Sequence, residues 1–227
     1  MRWHARAMTP HAAAPGPSVR SVNVGHAREV TFAGGGRSAI DKSPVTGPVH
    51  LHRLGLEGDE VVNTTHHGGP DKAVYAVSRA ELDHWSGVLE ADLPDGQLGE
   101  NLTIDGLAVD DAELGERWGI GDAVVEVRLP RTPCSVFAGW VGHCGLDARG
   151  WVRRYTEHGR PGAYLRVLAE GPVRAGDEVR VLHRPGHGVT LARAFQAATT
   201  RPEWLGELLD VPDLHPDLRR RAVAAQR

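Results

Sequence analysis

The chain has 227 residues, 41% of them hydrophobic and 24% charged, with a formal net charge of −3. That size and apolar content suffice for a domain-sized core, while the mild acidity gives no bulk attraction for nucleic acid. No apolar run reaches the ~18 residues of a membrane span, and Met1–Val19 lacks an apolar signal core, so a cytoplasmic protein is expected.

In chain order, residues 1–17 are rich in Ala and Pro without periodicity and are expected to form a disordered lead-in. A β-rich domain is assigned to 18–185, where short apolar runs alternate with Gly, Pro and Asp punctuation. Three Gly-Asp pairs, at Gly58, Gly121 and Gly176, each lead toward Val-rich residues and read as separate hairpin turns. A helix is predicted near Ser78–Leu89, with Leu82, Trp85 and Leu89 at helical spacing. A second is predicted over Asp147–His158, capped by Asp147 and stopped by Gly159. Ala163–Leu168 reads as a strand with Leu165 and Val167 on one face and Tyr164 and Arg166 on the other. Beyond residue 189 the pattern becomes three short helices, Leu191–Ala198, Pro202–Leu209 and Pro216–Ala225, forming a small helical appendage over 189–227.

Chemistry concentrates in three stretches. Thr64–Lys72 reads T-T-H-H-G-G-P-D-K. Of the chain's 26 basic residues only Lys42 and Lys72 are lysine, and one of them stands here. Adjacent histidines lack the spacing of a zinc site. Gly68 and Gly69 either let backbone N–H groups approach an anion, with His66, His67 and Lys72 as further donors, or simply form a turn. R-L-P-R-T-P-C, Arg128–Cys134, follows a Val-rich strand, and its two prolines stiffen the strand end from which Cys134 projects. Arg131 is close enough in sequence to favour a thiolate that attacks electrophiles or binds soft metals; the alternative is a small buried residue. Cys144 has no comparable setting, and two cysteines are too few for a disulfide framework. L-G-E-N-L-T, Leu98–Thr103, offers Glu100 and Asn101 either to a heterocycle edge or to turn amides.

Together S-A-I-D-K-S-P-V-T-G-P-V, L-G-L-E-G-D-E, H-H-G-G-P-D-K-A-V-Y, L-G-E-N-L-T, G-I-G-D and L-P-R-T-P-C, in this order, resemble the MOSC domain, named for the C-terminal domain of molybdenum cofactor sulfurases. The likeness runs from about Ser38 to Leu182, and the tail resembles the three-helix extension of one bacterial branch. The resemblance implies a mainly β, barrel-like fold that binds the molybdenum cofactor (molybdopterin). It also implies Cys134 as molybdenum ligand or sulfur-carrying thiol, with Lys42, His66, His67, Gly68, Gly69, Asp71, Lys72, Glu100, Asn101 and Arg131 around the cofactor. Lys42 and Lys72 suit a compact ammonium holding a phosphate as a point charge. The implied activity is reduction of N-hydroxylated compounds, with electrons from a separate partner protein. Leu98 stands where relatives often carry an aromatic residue. Assembly is left open, a homodimer included.

Two other function classes compete with the reductase: a persulfide carrier built on Cys134, and a non-catalytic module that binds cofactor or engages a partner through the Arg219-Arg220-Arg221 tail, a run more typical of a solvated helix face. A pyridoxal phosphate aldimine at Lys72 lacks the large-domain architecture such enzymes use. Because the chemical motifs all lie upstream, removal of the tail from Val189 onward is expected to leave cofactor loading intact and to alter association or partner coupling.

Overall fold

The structure, a computed structural model, describes residues 16–63 and 67–226. The disorder expected for 1–17 therefore falls almost wholly outside the described residues, as does His66.

The first half of the chain carries β1 (Ser18–Val24), the hairpin of β2 (Arg28–Val30) and β3 (Gly36–Ser38), β4 (Ser43–Pro44), β5 (Val49–His52) and β6 (Gly55–Leu56). A 3-10 turn at Pro70–Lys72 then opens β7 (Val74–Ser78), α1 (Arg79–Leu89) and β8 (Leu102–Asp105). There follow a 3-10 turn at Val109–Asp111, β9 (Arg117–Ile120), β10 (Ala123–Pro130), α2 (Ser135–His143), α3 (Trp151–His158), β11 (Ala163–Ala169), β12 (Gly171–Val173) and β13 (Val179–His183). The chain finishes with α4 (Leu191–Ala198), the 3-10 segment Pro202–Asp210 and α5 (Pro216–Ala224).

The main sheet has eight strands in the order β13-β9-β10-β11-β7-β8-β1-β4. Its pairs are antiparallel except β7 with β8, and those two parallel neighbours are joined by α1, the crossover that a parallel pair requires. The sheet closes on itself. Val19 N donates to Asp177 O, Gly176 N to Val19 O and Val179 N to Pro17 O, each at 2.8 Å, and Ser18 bridges Glu178. The first half of β1 thus bonds β8 on one flank and the approach to β13 on the other, which removes the open edges of a barrel. β4 occupies the free flank further along β1 through Asn23 and Val24. Strand alternation fills the interior: Leu165 and Val167 of β11 are buried, as the spacing predicts, together with Leu102, Ile104, Trp118 and Val125. Tyr164, on the opposite face, is buried as well because it lines the cavity described below.

Local sequence explains most boundaries. Gly121-Asp122 makes the two-residue turn between β9 and β10, with Gly121 at φ 54°, and Gly176-Asp177 precedes β13. Gly58-Asp59 departs from the expectation of a hairpin, since no strand follows it and Asp59 is drawn into the site instead. α1 begins at Arg79 as predicted. α3 begins only at Trp151, because the Asp147 carboxylate accepts from the backbone of Arg149 at 3.1 Å in a turn of its own and caps no helix. α2 was not anticipated: Gly139 and Gly142 lower its helix propensity, and Gly139 is there for packing, since a Cβ would stand 2.7 Å from the Phe32 ring on the β2–β3 hairpin.

The tail folds back onto the barrel. Leu191 N donates to Ala112 O at 2.8 Å, Leu114 N donates to Val189 O at 3.1 Å, and Thr190 caps α4 by accepting from Arg193 N. Leu191, Ala194, Leu208, Leu214 and Leu218 join the same apolar core as the barrel, so the three helical segments continue the barrel core; the middle one is 3-10.

Candidate functional site

A cavity of about 320 Å³ opens where β7, β10 and β11 meet the loops after β3 and β6, and it is built around Cys134 and Arg131. The register of β10 shifts against β11 between Val127 and Leu129, a bend of the kind that re-aims a strand end. Pro130 closes the strand, and Pro133 holds the chain extended into Cys134, the residue that caps α2. The thiol therefore stands at the positive end of a helix, half-buried against the core.

Arg131 is buried, its backbone donating to Gly162 O at 3.3 Å. Its guanidinium lies 3.9 Å from the centroid of Phe137 and 5.0 Å from that of Tyr75. Burial works against the charge, but the Tyr75, Tyr164 and Tyr155 oxygens and the Cys134 sulfur outweigh it and raise the guanidinium's proton affinity. Those tyrosines are neutral near pH 7, since burial pushes each of them upward. Among the described residues Arg131 has no carboxylate partner, and its Nη1 has no hydrogen bond. A buried cation in that state carries a desolvation cost that an anion in the cavity would relieve.

The opposite wall is a clamp centred on Asp59. Its carboxylate pairs with Lys42 and accepts from Gly25 N at 2.7 Å and from Asn101 Nδ2 at 2.9 Å. Burial lowers the proton affinity of Lys42, against the pull of Asp59. Asn101 also accepts from Tyr75 N at 3.1 Å, tying this wall to β7. On the third side, His67 Nδ1 lies 3.1 Å from the Tyr164 hydroxyl, and the Lys72 ammonium stands 6.0 Å from the same ring. Gly68 and Gly69 shape the intervening turn with φ of 79° and 81°. Gly69 pairs this with ψ of 171°, a region essentially reserved for glycine.

Of the residues singled out in the sequence, the fold brings Lys42, His67, Gly68, Lys72, Asn101, Arg131 and Cys134 to this one cavity. It does not bring Gly69, Asp71 or Glu100 to the lining. Glu100 is fully buried and accepts from Gly96 N, Leu98 N and the Thr103 hydroxyl; burial pushes its carboxyl up to about 7. Asp71 points the other way. It pairs with Arg166 at 2.5 Å and Arg128 at 3.2 Å, and those arginines reach Asp213 of the tail at 3.2 and 3.1 Å. Burial opposes the Asp71 charge, yet these arginines hold its carboxyl below its usual range. Asp59, Tyr75 and Tyr164 are site residues that the sequence reading missed. Asp59 stood inside the L-G-L-E-G-D-E motif, but the tyrosines meet only because β7 and β11 pair them directly across the sheet.

The MOSC domain family model matches residues 63–180, a span that holds His67, Lys72, Asn101, Arg131 and Cys134. The chain belongs to the MOSC domain family. It is 33% identical over 175 residues to the uncharacterized protein YflK of Bacillus subtilis (strain 168), covering 77% of each chain. It is 32% identical over 168 residues to YiiM of Escherichia coli (strain K12), covering 73% of this chain and 72% of the relative. The crystal structure of YiiM from Geobacillus stearothermophilus superposes with a TM-score of 0.75 at 24% identity, over 93% of this chain and 100% of that one. YiiM from Escherichia coli gives 0.71 at 24% identity over 92% of each. These structures share the MOSC fold, and the family links the chain to molybdenum-cofactor-related function. Among the described residues no helix is long and apolar enough to cross a membrane.

Proposed function

We propose that the cavity binds the molybdenum cofactor with Cys134 as the protein ligand to molybdenum, and that this MOSC protein reduces N-hydroxylated small molecules using electrons from a separate donor protein. The observation that carries the reading is the buried Arg131 guanidinium in the same cavity as Cys134, which among the described residues has no carboxylate partner and leaves its Nη1 without a hydrogen bond. The residues present fit the group: a soft sulfur donor for the metal, cations for the phosphate and polar side chains for the pterin edge. When bound, the cofactor supplies the two-electron redox chemistry.

The chain's own residues do the rest. Arg131 and Lys72 hold negative charge from two sides, and Lys42, fixed by Asp59, adds charge to the third. Cys134 is kept in place by Pro133 before it and α2 after it. The Tyr164 hydroxyl and His67, in mutual contact, present an exchangeable proton to the cavity. Val61, Val62 and Val136 give the wall apolar surface that limits water.

The test is molybdenum content and extracted pterin, measured on protein made in a cofactor-competent host. Wild type is expected to carry both and to reduce an amidoxime when given a donor. Cys134→Ser keeps the size but offers a hard, un-ionised oxygen, so metal content and turnover should both fall by roughly tenfold or more with the fold retained. Cys144→Ser, altering an exposed thiol outside the cavity lining, should match wild type. Normal loading and turnover in Cys134→Ser would remove the ligand assignment. Metal-free wild type carrying sulfane sulfur on Cys134 would turn the reading into a persulfide carrier.

A further inference from the structure

We propose that His50, His52 and Glu170 form a second metal site, for a borderline divalent cation of the zinc class, on the outside of the small sheet formed by β12, β5 and β6. The side-chain ligand atoms of these three residues lie within 4.8 Å of one another, and none of the three lines the Cys134 cavity.

The site follows from strand geometry. Leu51 is fully buried, so alternation along β5 turns His50 and His52 together to the outer face. Their rings stand 4.5 Å apart at 45°. β12 pairs antiparallel with β5, Gly171 opposite Leu51 and Pro172 opposite His50. Continuing that register by one residue sets Glu170 opposite His52, which is how a residue so distant in sequence meets the pair. Its carboxylate is anchored, one oxygen accepting from Arg53 N at 2.7 Å, and the other remains for a ligand. Such outer hydrogen bonds are what fix a ligating carboxylate. Among the described residues no protein group hydrogen-bonds either imidazole.

Two imidazoles and one carboxylate are a donor set that zinc takes in open sites, with water completing the tetrahedron. At metal–ligand distances of about 2.0–2.1 Å, tetrahedral ligands stand roughly 3.4 Å apart, so a bound ion would draw the observed cluster inward. Nitrogen donors disfavour magnesium and calcium, which prefer oxygen. A bound ion would cross-link β5 to the turn between β11 and β12, adding to the ladder bonds and the Arg53–Glu170 hydrogen bond that join them.

The experiment uses the untagged full-length chain, stripped with chelator and titrated with zinc against a chromophoric chelator. A single site of micromolar or tighter affinity is expected, with a zinc-dependent rise in melting temperature. His52→Ala and Glu170→Gln, both at exposed positions, should each weaken binding by roughly tenfold or more and abolish the thermal shift while leaving the far-UV circular dichroism unchanged. Cys134→Ala should bind zinc as wild type does. Cobalt as a probe should give visible ligand-field bands without a sulfur-to-cobalt charge-transfer band. Binding that survives in His52→Ala, that disappears in Cys134→Ala, or that carries the sulfur band would overturn the site. These readouts are independent of molybdenum content, so this proposal and that for the Cys134 cavity stand or fall separately.

Discussion

Asp110 is a carboxyl shut away from water: among the described residues Oδ1 accepts from Gly162 N at 2.8 Å and Oδ2 has no partner, and burial pushes the group up to about 7. The unfolded chain holds this proton less tightly, releasing it near pH 4. As pH rises from about 4 to about 7 the unfolded state therefore ionises first, and stability falls through that window. Glu100, also pushed up to about 7, acts in the same direction. Asp110→Asn keeps the acceptor for Gly162 and cannot ionise. It is expected to gain roughly 1–3 kcal/mol relative to wild type on going from pH about 4 to about 8, read from melting temperatures across that range. An unchanged difference between the two proteins would show that Asp110 is not protonated in the fold. At this same scale the limit of sequence reading is visible. Short motifs single out Cys134, Arg131 and Lys72, and the fold brings all three to one cavity. They leave Glu100 and Asn101 undecided, since one takes turn amides and the other joins the cavity wall only through the folded positions of Gly96, Leu98 and Asp59. Tyr75 closes the H-H-G-G-P-D-K-A-V-Y motif without being marked as a site residue by it, and Tyr164 has no local signal of a site at all.

Among the elements, the turn over residues 67–72 depends on backbone conformation more than on space. A Cβ on Gly69 would meet nothing within 4 Å, so only its φ and ψ resist a side chain. Gly69→Val should cost about 1–3 kcal/mol locally, shift the His67 and Lys72 groups and empty the cavity of cofactor while the barrel stays folded. Molybdenum content with circular dichroism checks it, and full loading would show that the turn's conformation is immaterial to binding. Among the described helical segments α2 was the illegible one, while the three tail segments lie close to where their apolar spacing and prolines put them. α1 carries a clean apolar stripe and was found. α2 carries two glycines whose reason is the Phe32 ring of a distant hairpin, and Asp147 looked like a cap until its carboxylate took the Arg149 amide. The strands β10 and β11 were legible because alternation is written locally, whereas their partners in the sheet are not.

For the whole molecule, the expectation that removing the tail leaves cofactor loading intact and alters only association or partner coupling meets a continuous core. Deleting the chain from Val189 onward would uncover apolar surface that Leu191, Ala194 and Leu208 now bury, and would release Arg128 and Arg166 from Asp213. The truncated protein is expected to melt well below the full chain and to bind an apolar dye; an unchanged melting temperature would show the barrel to be self-sufficient. Since Asp71 shares those arginines, the loss should also loosen the turn carrying Lys72. The barrel's closure by Val19 and Asp177 has a consequence in time. The two residues are roughly 160 positions apart, so at ribosomal rates of ~5–20 residues per second the first strand waits on the order of 10–30 s for its second partner to emerge. Until then β1, already able to pair with β4 and β8, keeps one flank of its first half as an open edge that only the approach to β13 covers.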